Sequence, residues 1–285
     1  MQIEGRQIGP GHPPFVVAEV AGEHRQSMER LTMLCHAAKD AGASAIKLQL
    51  YDPDRLAAAR GGADKVLADG LWKGWTLGDL YRAAHTPREW FEVLPIGQFG
   101  IPIFASVFHE DDVEFLDALG VPALKVSSFE LTDLALIRKA ASAGKPVIIS
   151  TGMASPREIT AATNAVSYRQ LALLHCVSAY PCKVEDARLG RLRGLVDRYN
   201  FDCFGLSDHT LGSVAPVVAT ALGASIIEKH ITLDRNNGGP DAPFSLEPAE
   251  FAQMVRDVKD AYASLGTGVR PASEEPYRSL RRNAS

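Results

Sequence analysis

Nothing in the 285-residue chain is both long enough and apolar enough to cross a bilayer, since a membrane helix needs roughly 20 consecutive apolar residues. The opening MQIEGRQIGPGHPPF lacks the basic-then-apolar pattern of an export signal, so the expected compartment is the cytoplasm, with no membrane partner. Positive charge is not in excess. Lys and Arg number 30 against 34 Asp and Glu, a formal net charge of −4, which leaves no basic face for nucleic acid or anionic lipid. Cysteine is sparse: Cys35, Cys176, Cys182 and Cys203 form no CxxC pair. Three of them lie in or beside apolar segments, which reads as buried thiols in a reducing compartment rather than a disulfide framework. Low-complexity sequence is confined to a short polar tail, PASEEPYRSLRRNAS.

What the chain does have is 46% hydrophobic residues gathered into short runs. These are FVVAEV (15–20), SAIKLQL (44–50), IPIFAS (101–106), ALKVSS (123–128), PVIIST (146–151), LALLHC (171–176), CFGLSD (203–208) and SIIEKH (225–230). Near-continuous apolar runs suit parallel strands buried on both faces. Amphipathic stretches lie between them. In SMERLTMLCHAAKDAGA, Leu31, Leu34, Ala38 and Ala41 mark one helix face, Ser27 is an N-cap and Gly42 a stop. The same helix, glycine, strand punctuation returns in VEFLDALGVPALKV, IRKAASAGKPVII and VVATALGASII. Eight strand-helix units predict a single-domain (β/α)8 TIM barrel over residues 1–268, with residues 269–285 as the tail. A doubly wound open sheet is the alternative, but AGEHRQS follows the first strand where a glycine-rich phosphate loop would stand. Residues 51–85 are too long for a βα connection and carry Trp72, Trp75 and Tyr81. They read as a lid or substrate wall, or as a peripheral helix with aromatic anchors.

Active sites of such barrels sit at the C-terminal ends of the strands. Those positions hold Glu19, Lys47, Gln49, Ser106, Lys125, Ser128, Glu130, Ser150, Ser178, Tyr180, Ser207, Asp208, His209, Glu228, Lys229 and His230. Lys and Glu are seldom buried without partners, so a single one could be a structural pair, whereas the set points to a site. Lysines and serines together can cradle a phosphate and a carboxylate. His209 and His230 end adjacent strands and can share a divalent metal with open positions, for which Mn²⁺ suits better than a closed structural zinc site.

At these residues the chain resembles the sialic acid synthases and their nonulosonic acid relatives, from about residue 8 to 268. The resemblance rests on AEVAGEH, AIKLQ, LKVSSFE, ISTGMAS, HCVSAYP, SDHTLG, IEKHITLDR and GGPDAPFSLEPAEF, in that order. SSFE, LWKGWTLGDLYRAAHTPREW and DAPFSLEPAEF are most similar to the pseudaminic acid synthase branch. It implies a metal-dependent condensation of phosphoenolpyruvate with the aldehyde of an open-chain amino sugar. A nine-carbon 2-keto sugar acid and phosphate would result, by C–O cleavage. Carried over by position, His209 and His230 would hold Mn²⁺, and Lys47 and Ser106 the phosphoenolpyruvate carboxylate. Lys125, Ser128, Ser150, Ser178 and Ser207 would hold its phosphate. Glu19 would manage the water that adds to C2, with Glu130 a second acid/base candidate, and Tyr180 and Asp241 would meet sugar hydroxyls. Gln49 belongs to the same substrate-binding set.

Two departures accompany the resemblance. The family's NHNG after the first strand is EHRQ here, with Glu23, Arg25 and Gln26 replacing its residues. These replacements would either place an acid and a base at the mouth of the site or form a salt-bridged rim. Relatives usually continue into a small antifreeze-like domain that offers an Arg across a dimer; this chain's own late arginines are Arg278, Arg281 and Arg282. A homodimer is implied by the resemblance, and another chain supplying that domain is one reading of the difference. A different sugar acceptor for the same chemistry, or a catalytically silent scaffold, are the competing functional readings.

Overall fold

The computed structural model describes residues 1–94, 96–199, 203–266 and 273; apart from residue 273 the tail, with its three arginines, lies outside them. Eight parallel strands close into a barrel: β1 (Phe15–Glu19), β2 (Ala45–Gln49), β3 (Ile103–Val107), β4 (Leu124–Val126), β5 (Val147–Ser150), β6 (Leu171–Cys176), β7 (Phe204–Asp208) and β8 (Ile226–His230). Each falls inside or within a residue of an apolar run, and β8 pairs with β1 to complete the ring. The open-sheet alternative is thereby excluded. Among the described residues no helix is long and apolar enough to cross a membrane.

Strand alternation sorts the side chains into two shells. Val16, Ala18, Ile46, Leu48, Ile103, Ala105, Leu124, Val147, Ile149, Leu173 and Leu206 face outward into the layer shared with the helices. Phe15, Val17, Ala45, Phe104, Ala123, Ile148, Ala172, Leu174 and Ile226 fill the inside of the barrel. Ile3, in a two-stranded hairpin of Gln2–Ile3 and Arg6–Gln7, and Ile8 just after it pack with this inner cluster, so the barrel is plugged at its N-terminal end. At the other end the inward positions turn polar. That switch, one residue pair further along each strand, creates the site.

Helix α1 (Met28–Asp40) begins where Ser27 Oγ accepts a hydrogen bond from the Arg30 amide. It buries Leu31, Leu34 and Ala38 completely. Gly42, Gly120, Gly144 and Gly223 all take φ between +71° and +97°, the left-handed conformation that ends a helix at no steric cost. Residues 51–85 fold over the barrel mouth as helices α2 (Pro53–Ala59) and α3 (Leu77–Ala84), joined through an antiparallel bridge between Val66 and Thr76. Trp72 Nε1 donates to the Pro240 carbonyl at 2.9 Å. Gln26 Nε2 donates to the carbonyls of Arg82 and His85 at 3.0 and 2.8 Å, and Arg60 pairs with Glu130. The insertion is thus both a wall and an anchored element; Trp75 is 41% exposed and takes no part in the wall.

Candidate active site

The polar end of the barrel opens into a cavity of about 360 Å³. Its floor is the uppermost inward layer of the strands, and Leu56, Leu67, Trp72, Leu77 and Leu80 from the insertion make an apolar wall. Glu19, Lys47, Gln49, Ser106, Lys125, Ser128, Ser150, Tyr180, Ser207, His209, His230 and Asp241 all line it.

Lys47 is held between two carboxylates, Glu19 at 2.8 Å and Glu228 at 3.4 Å, and donates to Ser106 Oγ at 3.0 Å. Gln49 Nε2 donates to Glu19 at 2.7 Å. Burial dominates at Glu19 and raises its pKa, with Glu228 adding to the rise against the pull of Lys47. Burial acts the same way at Glu228, but Lys125 and Lys47 together outweigh it and hold that carboxyl below its ordinary range. Two carboxyls on one lysine therefore differ in proton affinity, the arrangement that separates an acid from a base.

Lys125 is different. It is 1% exposed, donates to Ser150 Oγ at 2.7 Å and to the Val126 carbonyl at 3.0 Å, and forms no ion pair among the described residues. Burial lowers its pKa against the pull of Glu228, because a cation taken out of water is costly when no carboxylate touches it. Neutral donors surround the place where an anion would relieve that cost. The Gly152 amide donates to Ser128 Oγ at 3.0 Å. A Cβ on Gly152 would stand 2.3 Å from Ser178 Oγ and 2.8 Å from Ser128 Oγ, so any side chain there would displace the two hydroxyls that converge on this amide. Ser178 sits beside Gly152 in this way, although it is not part of the cavity lining itself.

His209 and His230 meet with ring centroids 5.5 Å apart. Tyr180 packs on the first at 4.4 Å and Phe244 on the second at 4.8 Å. His209 Nδ1 lies 3.0 Å from the Val177 carbonyl, which assigns the proton to Nδ1 and leaves the Nε2 lone pair for another partner. His230 Nδ1 is buried with no hydrogen-bond partner among the described residues. Its pKa is driven well below the usual value, first by burial and then by His209, so the imidazole is neutral. No group of three or more His, Cys, Asp or Glu side chains is arranged to hold a metal among the described residues. The orphaned nitrogen of His230 and the Nε2 of His209 fit a divalent ion that takes its remaining ligands from substrate and water.

Three expectations change. Glu130 does not line the cavity; its carboxylate is taken up by Arg60 and Ser127. Glu23 and Arg25 are neither a mouth acid and base nor a salt bridge. Glu23 is fully buried and accepts from the Gly239 amide at 3.1 Å, while Arg25 donates to Asn237, so both clamp the loop that leads to Asp241. Asp208 and Lys229 point away from the cavity, since alternation turns them outward when Ser207, Glu228 and His230 face in.

Glu228, named at its strand end without a role, lines the cavity, as does Trp72 of the insertion. Two lining residues were not singled out: Cys176, read only as a buried thiol, and Arg60, since no sequence period places a residue of an insertion over a site. Asp241 follows Pro240, whose carbonyl the insertion's Trp72 bonds, and its carboxyl is pushed up to about 8 by burial, then by Glu23 and Glu19.

Comparison with known proteins gives one consistent result. Residues 34–270 match the model of the NeuB family. The chain is 39% identical over 259 residues to the pseudaminic acid synthase of Helicobacter pylori, covering 89% of this chain and 76% of that protein. It is 32% identical over 281 residues to the N,N'-diacetyllegionaminic acid synthase of Legionella pneumophila, covering 95% and 79%. Among solved structures, an N-acetylneuraminic acid synthetase from Leptospira borgpetersenii in complex with citrate superposes with a TM-score of 0.88 at 32% identity, covering 99% of this chain and 95% of that one.

Proposed function

The chain belongs to the NeuB family, and from that premise we propose that it condenses phosphoenolpyruvate with the aldehyde of an open-chain amino sugar, giving a nine-carbon 2-keto sugar acid and phosphate. It is a phosphoenolpyruvate-dependent condensing enzyme; the metal and the acceptor are the parts proposed. The observation that carries the reading is Lys125, a buried cation with no salt-bridge partner among the described residues, set among Ser128, Ser150 and the Gly152 amide. That constellation suits a phosphate.

In this reading Lys47 and Ser106 hold the substrate carboxylate, while Lys125 and the serines, Ser178 and Ser207 included, hold the phosphate. Carbon 3 of phosphoenolpyruvate then forms a bond to the aldehyde carbon, and water adds at C2. Glu19, oriented by Gln49 and Lys47, takes one proton of that water, and a proton is returned at the former aldehyde oxygen to give the hydroxyl. The C2 hydroxyl collapses to the ketone as phosphate leaves with the bridging oxygen and the remaining proton. His209 and His230 would hold a divalent ion, Mn²⁺ by preference, that polarises the aldehyde oxygen as a Lewis acid. Tyr180 and Asp241 face the sugar from the insertion side, where Trp72 packs on Tyr180 at 5.3 Å. The apolar wall and Trp72 exclude water from the acceptor.

The test is phosphate release from phosphoenolpyruvate with Mn²⁺ against a panel of amino sugars, with mass spectrometry of the product. The panel includes N-acetylmannosamine and a diacetamido-dideoxy hexose. One sugar yielding phosphate and a product heavier by the pyruvate unit supports the reading; silence across the panel with no phosphoenolpyruvate binding sinks it. His209→Ala and His230→Ala should each abolish metal-dependent turnover with circular dichroism unchanged. Turnover persisting in both would remove the metal assignment.

A further inference from the structure

Three tiers of polar side chains cross between β7 and β8. The first faces into the barrel, where Ser207 donates to Glu228 at 3.1 Å, and the third is the His209–His230 pair. The middle tier faces outward, and neither of its members touches the cavity. Asp208 and Lys229 are direct partners in the sheet register, the last pair before the ladder between these two strands ends. Their side chains meet at 2.5 Å, 2% and 0% exposed, beneath the helix layer.

A buried ion pair is weak evidence for stability, because desolvation consumes much of the attraction. Its value here lies in what it ties down. Lys229 also donates to the Thr210 carbonyl. Asp208 accepts from the Thr210 amide at 2.9 Å and from Thr210 Oγ1 at 3.1 Å. His209 therefore stands on a backbone step gripped on both sides, although it lies one residue past the end of β7. The other end of the same grip is Lys229, the immediate neighbour of His230.

We propose that Lys229, with Asp208 and Thr210, is a positioning device that fixes the separation and aim of His209 and His230 so that the two imidazoles bind one divalent cation together. The proposal rests on the metal reading above, and acts on affinity for the cation rather than on phosphoenolpyruvate. Groups that orient metal ligands from behind typically account for 10- to 100-fold in metal affinity.

The experiment is Mn²⁺ binding by calorimetry to the whole protein and to the double variant Asp208→Asn/Lys229→Met. Removing both charges leaves no uncompensated ion in the interior. The expected result is Mn²⁺ affinity lowered roughly 10- to 100-fold, phosphoenolpyruvate affinity in chelator unchanged, and turnover restored toward wild type by raising Mn²⁺. A merely structural pair would move phosphoenolpyruvate binding and the melting temperature as well, and added Mn²⁺ would not rescue it. Thr210→Ala, which keeps the ion pair and deletes one bond to Asp208, serves if the double variant fails to fold; it should weaken Mn²⁺ binding several-fold. Unchanged Mn²⁺ affinity in a folded variant overturns the proposal while leaving the metal reading intact. Absence of Mn²⁺ binding to the wild type overturns both.

Discussion

Lys125 has no carboxylate in direct contact, Glu228 acting on it only from further off, whereas Lys47 pairs with two. Replacing Lys125 by Met keeps the volume and removes the cation. Loss of charge-assisted hydrogen bonds costs about 1.5–3 kcal/mol, so phosphoenolpyruvate affinity should fall about 10- to 100-fold in calorimetry. A Lys125→Met protein that binds phosphoenolpyruvate normally would move the phosphate elsewhere. Single residues were legible in the sequence where charge interrupts an apolar strand, as at Lys47 and Lys125. Gly152 was not, since its importance is a close approach of Ser128 and Ser178 from two other strand ends. Glu130 looked catalytic for its place after β4, but its partner Arg60 comes from 70 positions earlier, a distance over which no pattern speaks.

Among the elements, the insertion of α2 and α3 is the one most exposed to change. It is pinned to the β1 loop by Gln26, to the loop after β8 by Trp72, and to the β4 loop by Arg60. Arg60 also donates to Tyr81 at 3.0 Å and lies over the Phe129 ring at 4.7 Å. Its side chain is 23% exposed against 9% for Glu130, so Arg60→Ala should cost roughly 1–2 kcal/mol, felt locally. Amide hydrogen exchange across residues 53–84 should then accelerate about tenfold, and the acceptor KM should rise more than kcat falls. Unchanged exchange there would mean that the other two pins suffice. The insertion was recognisable from its length and aromatics, but its role needed the fold: whether Trp72 or Trp75 turns inward depends on the tight turn between them. The helix ends were plain from sequence, because a left-handed glycine cap is a local property.

For the molecule as a whole, Asp241 couples pH to stability. It titrates near 8 when folded and near 3.8 when unfolded. Between those values the folded protein holds a proton that the unfolded chain has lost. Stability from this group is therefore complete below about pH 4 and disappears as pH rises through about 8, at up to ~1.4 kcal/mol per pH unit. Asp241→Asn should flatten the denaturant midpoint against pH over that window; an unchanged slope would show that Asp241 titrates normally. The carboxyl is raised by Glu23 and Glu19 as well as by burial, groups brought beside it by β1 and its loop.

The sequence by itself determined the barrel, its eight strands, and which end of it is polar, because hydrophobic period, glycine caps and strand-end charges are properties of neighbouring residues. It also carried the family, through motifs laid out in order. Tertiary structure alone decided which polar residues share a space. Asp208 and Lys229 read like Ser207 and His230 along the chain, yet strand alternation and barrel closure send one pair outward to brace and the other inward to the cavity. Burial then finished the assignment by leaving Lys125 without a salt bridge and His230 neutral, since the cost of charge depends on what surrounds it in three dimensions.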